Sequence, residues 1–353
     1  MSSVAPSAEL HGPISDEHGV TFLLGDQNRR LAAVHLEEEL GLGGVAFTRQ
    51  RSQWTLRIPR PPVDRMEYLF AIEDHNGHRW TITDPANPRR APGAFGDKSV
   101  IEFAGYVRPA WLDAPSTSGT TAPIAVAAPA LDAEVTCDLW APDGLDADQP
   151  APLLVVHDGP EFAVLGGIVA FVAAHVADGA LPPTRVALLG PGDRNDWYSA
   201  NDAYATALCD LLAQSPPTTV RIGVGVSLGA LAMLHAHRRH PRTFDGLFLQ
   251  SGSFFTPDLD AQESGFSGFP AVSGFVADVH HSARDDDGIP TAMTCGIVEE
   301  NLANNQRLAA TLAHLGYDTV LHPVRDGHNY TAWRDALHPH LLGLVRTVVD
   351  RAA

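Results

Sequence analysis

The pentapeptide Gly225-Val226-Ser227-Leu228-Gly229 fits the pattern G-x-S-x-G. A serine hydroxyl is a weak nucleophile until a base takes its proton, and it must stand clear of the backbone to reach a carbonyl carbon. A sharp strand-to-helix turn exposes it in this way, and the flanking glycines leave room for the strained backbone. The same five letters also arise in a glycine-rich turn with an incidental serine. The flanks favour the elbow, since residues 220–226 read as a buried strand and 229–240 as a helix. Such a helix aims its N-terminus at the serine, and the N–H of Leu228 is then placed to donate to an oxyanion.

A nucleophile elbow of this kind belongs to the α/β-hydrolase arrangement, in which the chain order is serine, acid, histidine. Only histidines beyond the last strands qualify as the base. His328 follows Gly327, lies just past a strand-like run at 319–323 and precedes a helix containing Trp333. His322 falls inside that run, and His338 and His340 fall inside the last helical segment, so these three are read as structural or solvated. The acid should end the preceding strand. Residues 292–295 lead into Gly296-Ile297-Val298-Glu299-Glu300, and Glu299 is the expected acid with Glu300 its rival. The acid's task is to hold the imidazole tautomer and offset the charge the ring gains. A glutamate opening a helix also complements the helix dipole, so one of the pair is expected to do each job.

These residues need a scaffold, and the chain changes rhythm to provide it. From 131 to 353, strand-like apolar runs (135–140, 152–157, 185–189, 218–226, 246–250, 292–295, 319–323) alternate with helical segments at 164–177, 200–212, 230–240, 301–315 and 332–349. Buried runs between amphipathic helices predict a mostly parallel sheet covered on both faces. Residues 13–113 read differently, as short strands at 20–24, 31–36, 54–58, 68–73, 79–83 and 99–103, with an Asn76-Gly77 hairpin turn. This predicts an all-β, immunoglobulin-like sandwich. Residues 114–130, rich in Ser, Thr, Gly, Pro and Ala, are expected to form a linker, and 1–12 a disordered lead-in.

Composition narrows the function. The 353 residues carry 24 basic and 42 acidic side chains, a formal charge of −18, and −15 of it falls after residue 115. Such a surface repels phosphate backbones and anionic bilayers, so neither a nucleic-acid nor a membrane partner is expected. Cys137, Cys209 and Cys295 lack paired spacing and read as free thiols in a reducing compartment. With no signal-peptide pattern and no bilayer-length apolar run, a soluble cytoplasmic protein is expected. No metal or other cofactor is expected. His235 and His237 do not share a helix face, and Asp285-Asp286-Asp287-Gly288 lacks the alternation and closing glutamate of a calcium loop. Phe266, Phe269 and Phe275, in the stretch where a lid would sit, read as core.

Four stretches together resemble the enterochelin esterases and related hydrolases. They are His157-Asp158-Gly159-Pro160-Glu161-Phe162, Arg194-Asn195-Asp196-Trp197-Tyr198, Gln250-Ser251-Gly252-Ser253-Phe254, and Gly327-His328 with Trp333-Arg334. Tyr68-Leu69-Phe70 followed by Asp84-Pro85-Ala86-Asn87-Pro88 is similar to the sandwich that precedes the hydrolase in that family. The resemblance implies a serine carboxylic-ester hydrolase acting through an acyl-enzyme on a small-molecule ester or lactone, a siderophore among the options. An acyltransferase and a non-catalytic member of the fold are the alternatives. In the family the Asp-Gly-x segment supplies an oxyanion donor from its backbone. Here Pro160 has no N–H, which leaves Gly159, Glu161 or another group for that role. Arg194 and Trp197 are the candidates for contact with substrate, with a salt-bridged structural arginine the alternative for Arg194.

Overall fold

The computed structural model describes residues 12–43, 45–284 and 288–353. The lead-in, apart from Gly12, and the Asp285–Asp287 run therefore lie outside the described residues. Two compact units emerge, one running to Tyr106 and the other from Val107 onward, except that Arg325–Gly327 cluster with the first.

The first unit holds two antiparallel sheets. Strands β1 (Ile14–Ser15), β2 (Gly19–Gly25), β4 (Thr48–Gln50) and β5 (Gln53–Pro59) pair in the order β1-β2-β5-β4. Strands β3 (Leu31–Glu38), β6 (Arg65–Asp74), β8 (Arg90–Ala91) and β9 (Lys98–Glu102) pair as β3-β6-β9-β8, with β7 (Arg79–Ile82) on β6. The period-two alternation seen in the sequence sends Val20, Phe22 and Leu24 of β2 inward, where Phe22 meets Tyr68 and Phe70 of β6 edge-on at 4.9 and 6.3 Å. Tyr68 is buried but satisfied, donating to Asp84 Oδ2 at 2.7 Å. Arg65 is buried and pairs with Glu67 and with Asp326, whose Oδ2 is 3.4 Å from its Nε.

The second unit is built on eight strands: β10 (Gly119–Ala128), β11 (Ala133–Pro142), β12 (Ala151–Val156), β13 (Arg185–Leu189), β14 (Thr218–Val226), β15 (Gly246–Gln250), β16 (Pro290–Gly296) and β17 (Asp318–Val324). They are ordered β10-β11-β13-β12-β14-β15-β16-β17, and every neighbour pair from β13 to β17 is parallel. Every residue of β12, β13, β15 and β16 is buried, as expected for strands covered on both faces. The helices are α1 (Gly159–Val164), α2 (Ile168–Ala177), α3 (Arg194–Trp197), α4 (Asp202–Leu212), α5 (Leu228–Arg239), α6 (Phe269–His281), α7 (Leu302–His314), α8 (Tyr330–Asp335) and α9 (Leu342–Ala352). One core cluster gathers α4, α5, α6 and α7 (Leu208, Leu231, Val276, Leu312), and a second gathers α2 and α9 (Phe171, Val345). None of the helices among the described residues is long and apolar enough to cross a membrane.

The structure corrects several expectations. Residues 119–128, read as linker, form β10, paired antiparallel with β11 from Gly119↔Pro142 to Ala128↔Ala133. An outer strand with one partner and a mostly exposed surface needs only a short apolar stripe, here Ile124, Val126 and Ala128 against the core, so small residues serve elsewhere. The boundary falls at Tyr106 rather than 113, because Trp111 is buried in the second unit against Phe171 at 5.4 Å. The segment 164–177 starts at the last residue of α1 and becomes α2 only from Ile168, after a break at Gly166-Gly167 with Gly167 at φ +64. The segment 332–349 breaks around Pro339, which cannot continue a helix, and His338 takes extended φ/ψ. Helix α6 was not expected. Phe269 at its start is buried, and Phe266 and Phe275 are partly buried against the same core.

Candidate active site

The sheet delivers its candidate residues at the carboxyl ends of adjacent parallel strands, where open α/β sheets bind ligands. Three non-glycine residues with positive φ stand there: Asp158 after β12 (φ 51), Ser227 after β14 (φ 52) and Ser251 after β15 (φ 46). Backbone strain of this kind persists only where the surroundings over-determine it.

Ser227 sits between the last residue of β14 and the first of α5, with ψ −125. Gly225 is required, since a Cβ there would lie 2.3 Å from the Gly229 carbonyl oxygen. The Ser227 side chain does not cap α5. Its Oγ lies 3.3 Å from Ser253 Oγ, and among the described residues it makes no hydrogen bond to His328. The Leu228 N–H opens α5, at a position where no carbonyl one turn back can take it.

His328 and Glu299 meet. His328 Nδ1 is 2.7 Å from Glu299 Oε2, with side-chain exposures of 34% and 2%. A carboxylate only accepts, so the ring proton is assigned to Nδ1, leaving the Nε2 lone pair free to act as a base. Glu299 Oε1 accepts from the Gly296 N–H at 2.7 Å and from the Ser251 hydroxyl at 2.7 Å. The buried carboxylate thus has three donors, and such charge-assisted bonds are about twice as strong as neutral ones. Its rival Glu300 is exposed and accepts from Gln262 Nε2 at 3.3 Å. The structure therefore brings Glu299, not Glu300, to the imidazole.

The turn after β12 carries the other expected oxyanion donor. Gly159 opens α1 and tolerates no side chain, because a Cβ would lie 2.3 Å from the Leu188 backbone. Pro160 has no N–H, and the Asp158 N–H is used by Tyr198 Oη at 3.3 Å. Among the described residues the Gly159 N–H is left as an unclaimed donor at a helix N-terminus. His157 is fully buried beneath this turn, with Nδ1 2.8 Å from the Gly229 carbonyl and Nε2 2.9 Å from Tyr204 Oη. Burial pushes its pKa down to about 3; the Gly229 carbonyl opposes this and the Arg194 charge adds to it.

The expected substrate contacts fare differently. Arg194 makes a bidentate pair with Asp158, Nε to Oδ1 at 2.8 Å and Nη2 to Oδ2 at 2.9 Å. Its fork is occupied by this pair, the salt-bridged arrangement weighed as its alternative. Trp197 is 6% exposed and stacks on Tyr204 at 5.5 Å, so its indole belongs to the core and not to an open site. Sequence reasoning assigned no role to Ser253, to Ser251, or to the Tyr330 hydroxyl that donates to Glu161 Oε2 at 2.8 Å. The only hint was that Ser251 and Ser253 lie in a stretch quoted for its resemblance. Among the described residues no cluster of His, Cys, Asp and Glu could hold a metal ion.

No family model matches the sequence. Over 215 residues the chain is 27% identical to the iron(III) enterobactin esterase of Dickeya dadantii, covering 54% of this chain and 47% of that protein. The chain thus matches about half the length of that curated relative. The ferric enterobactin esterase of Salmonella typhimurium superposes with a TM-score of 0.78 at 18% identity, over 96% of this chain and 98% of that one. The fold is that of an enterobactin esterase. The Shigella flexneri enterobactin esterase, solved in the presence of enterobactin, gives a TM-score of 0.74 at 20% identity, over 96% and 97%.

Proposed function

We propose that this chain is a serine carboxylic-ester hydrolase of the enterochelin-esterase type, with Ser227 as nucleophile, His328 as base and Glu299 as acid. The observation that carries the reading is the 2.7 Å pairing of His328 Nδ1 with the buried Glu299 carboxylate, in a fold that presents Ser227 on a strained elbow. As an ester binds, the Ser227 hydroxyl turns from Ser253 to His328 Nε2; such hydrogen bonds often tighten only in the complex. His328 takes the proton as Oγ attacks the carbonyl carbon. The N–H groups of Leu228 and Gly159 receive the developing oxyanion. His328⁺ then protonates the leaving alkoxide, and an acyl-enzyme remains. Water, deprotonated by the same nitrogen, releases the acid.

For substrate, the reading takes a siderophore ester or lactone, following the enterobactin esterases that the chain resembles in sequence and fold. No observation favours transfer to a hydroxyl other than that of water. The three unpaired cysteines suit the cytoplasm, and the two antiparallel sheets of the N-terminal unit are read as an immunoglobulin-like sandwich. The test is labelling with a fluorophosphonate probe, followed by turnover of esters from p-nitrophenyl acetate to a catecholate trilactone. Ser227→Ala is expected to abolish labelling and to lower turnover by several orders of magnitude with the fold intact. Wild-type turnover by that variant on every ester cleaved would sink the mechanism.

A further inference from the structure

The segment that closes β15 and follows it, Gln250-Ser251-Gly252-Ser253, has no chemical part in the reaction above, yet it touches Ser227 and Glu299 directly and His328 through one ring. The Gln250 carbonyl accepts the Ser227 N–H at 2.9 Å, and the Ser253 N–H donates to the Ser227 carbonyl at 3.1 Å. The Ser251 hydroxyl donates to Glu299 Oε1 at 2.7 Å and accepts from Trp333 Nε1 at 3.0 Å. The Trp333 ring stands edge-on to the His328 imidazole at 4.9 Å, and Gln250 Nε2 holds the Trp333 carbonyl at 3.0 Å.

We propose that Ser251 is the positioning residue of the triad: its hydroxyl, oriented by Trp333, fixes the plane of the Glu299 carboxylate and thereby aims His328 at Ser227. The inference rests on the serine-hydrolase reading. A glutamate's terminal torsion is broad, so with one fixed donor on Oε1 the carboxylate and the imidazole it holds through Oε2 can turn together about that bond. The Gly296 N–H is one donor; Ser251 is the second and fixes the plane. A hydroxyl that accepts from an indole N–H keeps its own proton for the carboxylate, which gives the chain from Trp333 through Ser251 to Glu299 a single direction. The residue is itself immobile. It is 1% exposed, its N–H donates to the Thr294 carbonyl at 2.7 Å, and Asn305 holds both the N–H and the carbonyl of Gly252, at 3.1 and 2.8 Å. A serine held at φ 46 is strained where glycine would be relaxed. Keeping a hydroxyl there in spite of the strain is what a positioning role requires.

The test is Ser251→Gly, which removes the hydroxyl and relieves the backbone, assayed on p-nitrophenyl acetate in the full chain. The expected result is a kcat lower by roughly tenfold to a hundredfold, the range for groups that orient a reacting ligand, with KM within about twofold. In a Glu299→Ala background the same change should cost nothing further, because Ser251 acts through that carboxylate. A Ser251→Gly enzyme at wild-type kcat overturns the proposal, and so does an equal loss in both backgrounds. If Glu299→Ala alone keeps wild-type kcat, the triad reading itself falls and this proposal with it. Should Ser251→Gly not fold, Trp333→Phe takes its place, keeping a ring and removing the donor. It should lower kcat several-fold, and only while Glu299 is present; an unchanged kcat, or the same loss without Glu299, overturns the proposal.

Discussion

Replacing Glu299 by glutamine keeps its size and removes its charge. At present Oε1 accepts from Gly296 and Ser251 while Oε2 accepts from His328 Nδ1–H. An amide has one acceptor oxygen, and the two donors on the Oε1 side claim it. The NH₂ group then faces His328 Nδ1. Two donors cannot bond, so the imidazole moves its proton to Nε2, where the lone pair must be when the serine is deprotonated. The lost Coulomb term is also large. Unit charges 2.7 Å apart attract by about 6 kcal/mol at an effective dielectric of about 20. At a charge-centre separation of about 4 Å the figure is about 4 kcal/mol. The smaller value corresponds to about a thousandfold in rate. Glu299→Gln is therefore expected to lower kcat on p-nitrophenyl acetate by about 10³-fold or more, with thermal unfolding showing a retained fold. Glu300→Gln, at an exposed site, should stay within about twofold of wild type. A loss below about fivefold for Glu299→Gln, or an equal loss for Glu300→Gln, would refute the reasoning.

Three further outcomes follow from other parts of the molecule. Gly159→Ala should lower kcat by about a hundredfold or more, because the new methyl meets the Leu188 backbone and displaces an expected oxyanion donor. Gly274→Ala, where a Cβ meets nothing within 4 Å, should instead raise stability by about 0.5–1 kcal/mol; kinetics and urea unfolding of the two variants check the contrast. Stability should also fall in mild acid. His157 has its pKa pushed down to about 3 in the fold, so below about pH 6.5 the unfolded chain binds this proton while the folded chain does not. Its contribution is complete above that pH and is lost at about 1.4 kcal/mol per pH unit as pH falls. Urea unfolding at pH 7.5 and pH 5.5 should show a drop of at least about 1 kcal/mol, and equal values would contradict a neutral buried His157.

The strands of the second unit were legible because a parallel strand covered on both faces is a continuous apolar run. Leu153–Val156 and Gly246–Gln250 carry that mark plainly. The strained turn at Ser227 was legible because a strand–turn–helix leaves a local pattern, and the place of His328 after β17 because chain order and strand ends leave few positions. What stayed hidden depends on meetings between distant segments. Nothing in the spacing of Ser251, Glu299 and Trp333 says that they share hydrogen bonds. Arg194 showed its charge but not its partner, and Asp158 claims the fork that substrate recognition would have used. Strand β10 was missed because an outer strand with one neighbour can be written in the alphabet of a linker.

The elbow also limits which residues this scaffold can accept at position 227. At φ 52 and ψ −125, a second heavy atom on Cβ is sterically penalised, so a β-branched side chain is a true outlier there. Threonine, a competent nucleophile elsewhere, is thereby barred from the elbow, while cysteine is not. Chemical diversification at this position is confined to an unbranched hydroxyl or thiol. Adapting the scaffold to new ligands then falls to residues around the elbow, since the backbone has already fixed what position 227 can carry.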